Sequence, residues 1–392
     1  MRVAGYPERR AIRSGVSRNL AFDGAPAEGW YADKLGFHTT GYSELPPTLV
    51  KEIRYASPEG KSVRPSAFSL TSLEPHEFPR VLLESEDKSV KIVALVLGSQ
   101  PLGSSLMRSK RMINADGDQV WYVHQGELLF FSSFGVLKVH EGDYLLVPRL
   151  VPWSVHVLNP FVAMIGMESR HPLLRPDLGE YVNKDIPYQV HRIRVPEPED
   201  AELDPADAAG EWGVYLKRGD RLTIQVFPHS PFSRIAWSGT VYPFALNTAD
   251  INTVATPTMH TDPSLFATFA TEDGSAMIST FRPRWAHSLP YHHMNHYDEA
   301  LFYASGYAAR GGRVGPGDCT FHPQGFYHGP QVEALMSWER PSCPENAPWV
   351  DEHLVMFESR SFLSPTAVAE KIEKHGYWKS WYEGWIKSPN SH

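Results

Sequence analysis

The chain has 392 residues, enough for one double barrel or two to three modest domains. With 42% hydrophobic and 21% charged residues it has an ordinary soluble balance, and 33 Pro with 29 Gly favour a turn-rich β architecture over a helical one. The net charge of -8 comes without any basic stripe, which excludes the usual electrostatic footprint of a nucleic-acid binder.

No stretch approaches the length of a membrane span, and the opening MRVAGYPERRAIRSG has no apolar run of the secretory kind. The two cysteines, Cys319 and Cys343, form no C-x-x-C pattern. A reducing cytoplasm without a disulfide is therefore expected, and Cys319 reads as a small packed thiol on a strand.

In chain order, residues 1–50 show little periodicity and read as an extended arm packed on the body or on another subunit. Residues 51–170 read as strands. Ser89–Leu97 is apolar and β-branched, and Glu127–Phe131 with Val136–His140 makes a hairpin turning at Gly135. Five residues separate Gly142 from Pro148, and Trp153 follows. Residues 171–215, rich in Pro, Asp and Glu, read as a linker or surface excursion. A second β region runs from 216 to 362, with Arg221–Phe227 as a strand and Leu265–Phe269 paired to Ala276–Phe281 through Glu272–Gly274. Residues 363–392 begin with a short C-terminal helix, capped by Ser364 with Pro365 at its first position and stopping at Gly376. Trp378, Trp381, Tyr382 and Trp385 make an aromatic tail that fits packing on a surface better than ligand binding.

The chemistry concentrates between Pro290 and Pro330, which holds His292, His293, His296, Glu299, His322 and His328. Several imidazoles with one carboxylate suit a divalent transition metal. Six residues lie between Glu299 and Gly306, five between Gly317 and Pro323, and Pro323–His328 reads P-x-G-x-x-H. This resembles the two cupin motifs, H-x-H-x(3,4)-E-x(6)-G and G-x(5)-P-x-G-x(2)-H, with Asn295 at the second His. The resemblance implies a mainly all-β double cupin, two jelly-roll barrels in which His293, Glu299 and His328 converge. Two His with one carboxylate is the facial triad of non-haem Fe(II) oxygenases. His292 points away from His293 on a strand, and His296 is a further rival for the ligand role.

The earlier Gly142–Trp153 stretch repeats the second motif, with Leu150 for the Gly and Trp153 for the metal His. Gln119 stands at the Glu place, seven before Gly126. The N-terminal barrel is therefore read as a cupin that has lost its metal.

More narrowly, His293–Glu299, His322 and His328-Gly329-Pro330 resemble the ligand segments of the homogentisate 1,2-dioxygenase family. His260–Phe266 matches its H-x-D-P-S-x-F, Phe281–Trp285 its F-x-P-R-W and Met356–Ser359 its M-F-E-S. The good match covers roughly residues 255–362. It implies Fe(II), dioxygen and a small aromatic dihydroxy substrate, whose ring opens between the hydroxyl-bearing and side-chain-bearing carbons. Homogentisate would give maleylacetoacetate, in tyrosine and phenylalanine degradation. His260 would accept the substrate hydroxyl's proton and His322 would stand beside the metal; without the resemblance each reads equally well as a core histidine with backbone partners. The family's substrate-contacting Tyr and Lys fall on the run Gly306–Gly311, where Tyr307 or Arg310 would contact a substrate carboxylate, unless Arg310 is a solvated loop charge. His292 and Asn295 are further substrate-contact candidates. Trimers pairing into hexamers are also implied. Other readings are a gentisate-type dioxygenase or isomerase in the same barrel, and a non-catalytic ligand-binding bicupin.

Overall fold

Eight of the nine residues of the strand Val90–Gly98 are buried, so both faces of this strand must be covered. The reason is a three-layer stack seen in the computed structural model, which describes residues 27–32, 38–43, 48–54, 63–98, 109–176, 187–197, 212–228, 232, 238–253, 266–285, 291–294, 296–306, 310, 313–337 and 349–387. Val90–Gly98 lies in a seven-stranded antiparallel sheet ordered Phe244–Asn247, Asp143–Val147, Asp118–Gln125, Phe161–Ser169, Val90–Gly98, Arg80–Ser85 and Leu363–Pro365. Side chains alternate across a strand. Val93, Leu95, Leu97, Trp121 and Leu145 therefore face one core with Phe130, Trp153 and Val155 from a six-stranded sheet. Ile92, Ala94, Tyr122 and Tyr144 face the other way, against Ala300, Phe302, Phe321 and Phe357.

The first core is the interior of the N-terminal barrel. Its six-stranded sheet runs Arg221–Phe227, Trp212–Arg218, Met112–Asn114, Pro152–Val157, Leu128–Ser132 and Gly135–Val139. The second barrel is built on another six-stranded sheet: Ala267–Ala270, Ala276–Phe281, His353–Ser359, Asp298–Ser305, Asp318–His322 and Ser66–Ser69. Its inward face carries Leu301, Tyr303 and Met356 against Ala67, Tyr377 and Trp381. A three-stranded sheet, with Ala27–Ala32 antiparallel to His38–Ser43 and parallel to Tyr291–Met294, completes the strand inventory that bears on the site. The fold is mainly β, a double cupin with short C-terminal helices.

The strand registers expose an internal repeat. Gln119 lies opposite Val147 and Glu168, as Glu299 lies opposite His322 and Glu358. Lys91 opposes Glu168 as Met277 opposes Glu358. The turns repeat as well. Gly126 and Gly306 have φ of 89° and 73°, Gly142 and Gly317 of 84° and 82°. At Gly306 a Cβ would also meet the Asp351 carbonyl oxygen at 2.1 Å, so both backbone conformation and space demand glycine there. Leu150 keeps a left-handed φ of 67° where Gly325 has 87°, so the turn outlived its glycine.

Strands are exchanged between the regions read from the sequence. Ser66–Ser69 belongs to the second barrel's sheet, while Trp212–Phe227 and Phe244–Asn247 belong to the first. The stretch read as an extended arm contains the antiparallel strand pair Ala27–Ala32 and His38–Ser43, held by ladder hydrogen bonds without needing an apolar alternation. The C-terminal helix also starts later than expected. Leu363–Pro365 pairs with Leu83–Ser85 as a strand, so Thr366 caps the helix Ala367–Lys371 by accepting from the Ala369 N–H. Gly376, at φ 84°, then turns the chain into the helix Ser380–Ile386.

Two part-buried histidines lie where the barrels meet. His124 packs edge-on against Phe302 at 5.0 Å and His353 against Tyr122 at 5.5 Å. Burial pulls both imidazoles below the usual range, His353 to about 4, with Arg282 and His124 adding to the effect. The unfolded imidazole titrates near about 6.5, so below that pH the unfolded chain takes up a proton that the folded chain refuses. The stabilisation from the neutral form is complete above that pH and is lost as pH falls toward 4. From His353 alone, stability is expected to drop by roughly 2 kcal/mol between pH 7 and pH 5. Urea midpoints across that range should show it, and His353→Gln should flatten the slope; an unaltered slope would refute the assignment.

Candidate metal centre

Register builds the site. Glu299 and His322 sit directly opposite each other on the antiparallel strands Asp298–Ser305 and Asp318–His322, and both share the inward face with Leu301 and Tyr303. After Pro323 the chain turns through Gly325 and brings His328 back against the same spot. The imidazoles of His322 and His328 stack at 4.6 Å with 16° between their planes.

The three polar groups converge. His328 Nε2 is 3.1 Å from Glu299 Oε2, and His322 Nδ1 is 4.0 Å from the same oxygen. One ligand atom from each lies within 4.8 Å of the others, and the residues are 6%, 0% and 1% exposed for Glu299, His322 and His328. The far nitrogens are also held. His328 Nδ1 lies 2.9 Å from the Phe326 carbonyl oxygen, to which its N–H donates, and His322 Nε2 lies 3.0 Å from the Tyr377 hydroxyl. Neighbouring ligands of one ion, each bonded at about 2.1 Å, stand roughly 3 Å apart. The His328–Glu299 separation meets that requirement. Two nitrogens and one oxygen in a dry site fit a divalent first-row metal.

Next to this cluster, burial pushes Asp298 up to about 6, although the N–H groups of Gln324 and Leu363 donate to it and pull the other way. Glu358, also buried, stands across from Glu299 and accepts from Ser279 Oγ at 3.2 Å.

Of the residues singled out from the sequence, Glu299, His322 and His328 come together. The backbone of His292 and His293 lies in the strand Tyr291–Met294, which pairs with Ala27–Ala32. Their side chains, and His260, Asn295 and Tyr307 entirely, lie outside the described residues. His296 is exposed, which removes it from the buried cluster. Arg310 is 3% exposed rather than a solvated loop charge. Its Nε donates to the Tyr303 hydroxyl and its Nη1 to the Gly329 carbonyl oxygen, both at 2.7 Å. Tyr377 and Glu358 were not singled out. Glu358 carried a sequence signal, an acid directly after the apolar run Leu354–Phe357. Tyr377 carried none, since its contact with His322 spans 55 residues of chain.

In the N-terminal barrel the corresponding places hold Gln119, Val147 and Trp153, and Trp153 packs against Trp121 and Phe130. A bicupin with a buried His/Glu cluster in its second barrel is thus the class that fold and site define. The homogentisate 1,2-dioxygenase N-terminal family model matches residues 50–248 and the C-terminal model matches residues 247–387. The chain belongs to the homogentisate 1,2-dioxygenase family, whose members are enzymes of the dioxygenase class.

Among its relatives, a candidate dioxygenase of Saccharolobus solfataricus is 30% identical over 279 residues, 69% of each chain. Homogentisate 1,2-dioxygenase of Legionella pneumophila is 28% identical over 278 residues, 67% of this chain; the match spans only 64% of the Legionella protein's length. Two solved structures are similar at lower levels. Ylba from E. coli has a TM-score of 0.32 at 10% identity, covering 79% of this chain and 92% of its own. Oxalate decarboxylase of Bacillus subtilis has a TM-score of 0.34 at 13% identity, covering 78% of this chain and 81% of its own. No helix among the described residues is long and apolar enough to cross a membrane.

Proposed function

We propose that the chain is an Fe(II)-dependent, ring-cleaving dioxygenase acting on homogentisate or a closely related hydroquinone, in the cytoplasmic breakdown of tyrosine and phenylalanine. The reading rests on one observation, the buried meeting of Glu299, His322 and His328 in a member of this family.

In this proposal His293, Glu299 and His328 hold the metal, as the family's ligand segments imply. The bound metal supplies the electron relay between the hydroxylated ring and dioxygen. The protein's part is geometry and dryness. His328 is kept in one orientation by the Phe326 carbonyl, and the low exposure of the cluster excludes bulk water. His260 accepts the proton of the substrate hydroxyl, a task suited to a group titrating near neutrality. His292, Asn295 and Tyr307 are proposed substrate contacts, and homo-oligomers are proposed for the assembly.

A second ligand set is supported by the convergence of the described side chains, in which His322 takes the place of His293. Metal retention separates the two, because only the ligating histidine loses the ion on replacement by alanine.

The function is tested by oxygen consumption of the Fe(II)-loaded protein across a panel of hydroquinones carrying acetate, carboxylate or no side chain. Oxygen uptake fastest with the acetate-bearing ring is expected. Uptake fastest with the carboxylate-bearing ring would move the chain to a gentisate-type activity. An isomerase would consume no oxygen, and a binding protein would neither consume it nor transform the ring.

A further inference from the structure

The last helix of the chain is tied to the candidate centre. The segment before it lies along the edge strand Ser66–Ser69, where Ser69 N donates to the Ile372 carbonyl oxygen and Lys374 N to that of Ala67. Gly376 then turns the chain, and two aromatic side chains enter the second barrel. Tyr377 is 5% exposed and Trp381 is 1% exposed.

Each of them reaches one of the two histidine segments. The Tyr377 hydroxyl is 3.0 Å from His322 Nε2, and its ring lies over the imidazole at 5.9 Å with 24° between planes. Trp381 Nε1–H donates at 3.2 Å to the carbonyl oxygen of Gly329, the residue after His328. Arg310 Nη1 donates to that same oxygen at 2.7 Å. Arg310 is in turn steadied by Tyr303, whose hydroxyl is shared with Thr320 Oγ1 at 2.9 Å. Gly329 has a φ of 150°, a conformation few other residues adopt, so this peptide depends on outside contacts to hold its direction.

We propose that Tyr377, Trp381 and Arg310 form a positioning clamp for the centre, with Tyr377 fixing the imidazole of His322 and the Arg310–Trp381 pair fixing the backbone that carries His328. The proposal rests on the metal reading given above in its second form, with His322 among the ligands. Groups that orient ligating residues typically govern metal affinity or activity by about 10- to 100-fold. The clamp also gives Arg310 a role other than direct contact with substrate, since Nε and Nη1 are both committed within the fold. It makes the C-terminal helix a working part of the catalytic barrel rather than a cover over its apolar end.

The test uses the full chain and variants that spare packing. Tyr377→Phe removes one hydroxyl and keeps the ring. Trp381→Phe removes the indole N–H. Arg310→Lys keeps the charge, and Arg310→Met removes it. Co(II) is titrated into each metal-free protein and followed by visible absorption, with thermal melting measured alongside. Steady-state oxygen uptake then separates kcat from KM. The expected result is Co(II) affinity lowered by about 10-fold or more in Tyr377→Phe and Arg310→Met, with an altered absorption band and little change in the melting point of Tyr377→Phe. Arg310→Lys should recover part of the affinity, and kcat should fall while KM stays level. Co(II) binding to the wild type with unchanged affinity and spectrum in Tyr377→Phe, Trp381→Phe and Arg310→Met would overturn the clamp and leave the metal reading standing. A wild type that takes up no Co(II) would overturn both.

Discussion

Replacing Glu299 by glutamine is expected to leave a folded protein that retains no Fe(II) and consumes no oxygen. The amide has the shape of the carboxylate but not its charge, so the side chain still fits its 6% exposed position between the strands. What disappears is the one formal negative charge in a donor set otherwise made of two neutral imidazoles. A divalent ion in a dry site depends on that charge far more than an exposed one would, because little solvent screens it. Loss of a ligand should exceed the roughly 10- to 100-fold that orienting groups command. Metal analysis after mild purification and an oxygen electrode read the two effects separately. His328→Ala should behave alike, since its Nε2 is 3.1 Å from the same oxygen. Stoichiometric iron in Glu299→Gln would show that the centre lies elsewhere.

Replacing Lys91 by methionine is expected to destabilise the N-terminal barrel by about 3 kcal/mol while leaving the metal content of the second barrel intact. Lys91 and Glu168 have side chains 5% and 3% exposed, with Nζ and Oε1 at 3.1 Å. Lys217 Nζ reaches the same Oε1 at 2.7 Å. Asn114 and Gln119 donate to Oε2 at 2.6 and 3.2 Å. Glu168 is thus held by two ammonium groups and two amides. Burial opposes the Lys91 charge, but Glu168 and Asp116 outweigh it and hold its pKa above the ordinary lysine value. Removing one partner of a buried pair leaves the other charge in the interior, which is why the cost exceeds that of a surface ion pair. Lys217 remains in the single variant and keeps the loss at the lower end of the range for buried pairs. Adding Glu168→Gln should restore part of the stability, because the orphaned charge is gone. Urea midpoints for the two single variants and the double variant measure this. A loss below about 1 kcal/mol for Lys91→Met would show that the cluster contributes little.

Met277 holds the position of Lys91 in the other barrel, and Glu358 that of Glu168. One carboxylate position, Glu168 in the first copy and Glu358 in the second, is therefore common to both. The first copy meets it with tethered cations, Lys91 and Lys217. The second sets Glu299, His322 and His328 around the same place.

Much of this was written into single residues. A left-handed φ at Gly126, Gly142, Gly306 and Gly317 is a local demand that glycine meets best, so the spacing of these turns announced two related barrels along the chain. The clustering of His293, Glu299, His322 and His328 within one stretch, with Gln119 and Trp153 at the matching places of the earlier copy, marked which barrel could hold a metal. The strand pairs expected around Gly135 and Gly274 form, Leu128–Ser132 with Gly135–Val139 and Ala267–Ala270 with Ala276–Phe281, because adjacent strands joined by a short turn have one obvious partner.

Distant pairings were not written in this way. Ladder hydrogen bonds use the same backbone groups in every residue, so nothing in Ser66–Ser69 records that it borders Asp318–His322, and nothing in Ala27–Ala32 records that it borders Tyr291–Met294. The helix start moved for the same reason, when Leu363–Pro365 was claimed by the strand Arg80–Ser85. By itself the sequence determined the family, the mainly β double barrel and the residue types gathered for a metal. Only the tertiary structure decided that His322 stacks on His328 and that Arg310 is buried beneath Gly329. It also decided that the final helix closes on both histidine segments. Those contacts depend on the register and packing of whole sheets, which no local stretch of residues specifies.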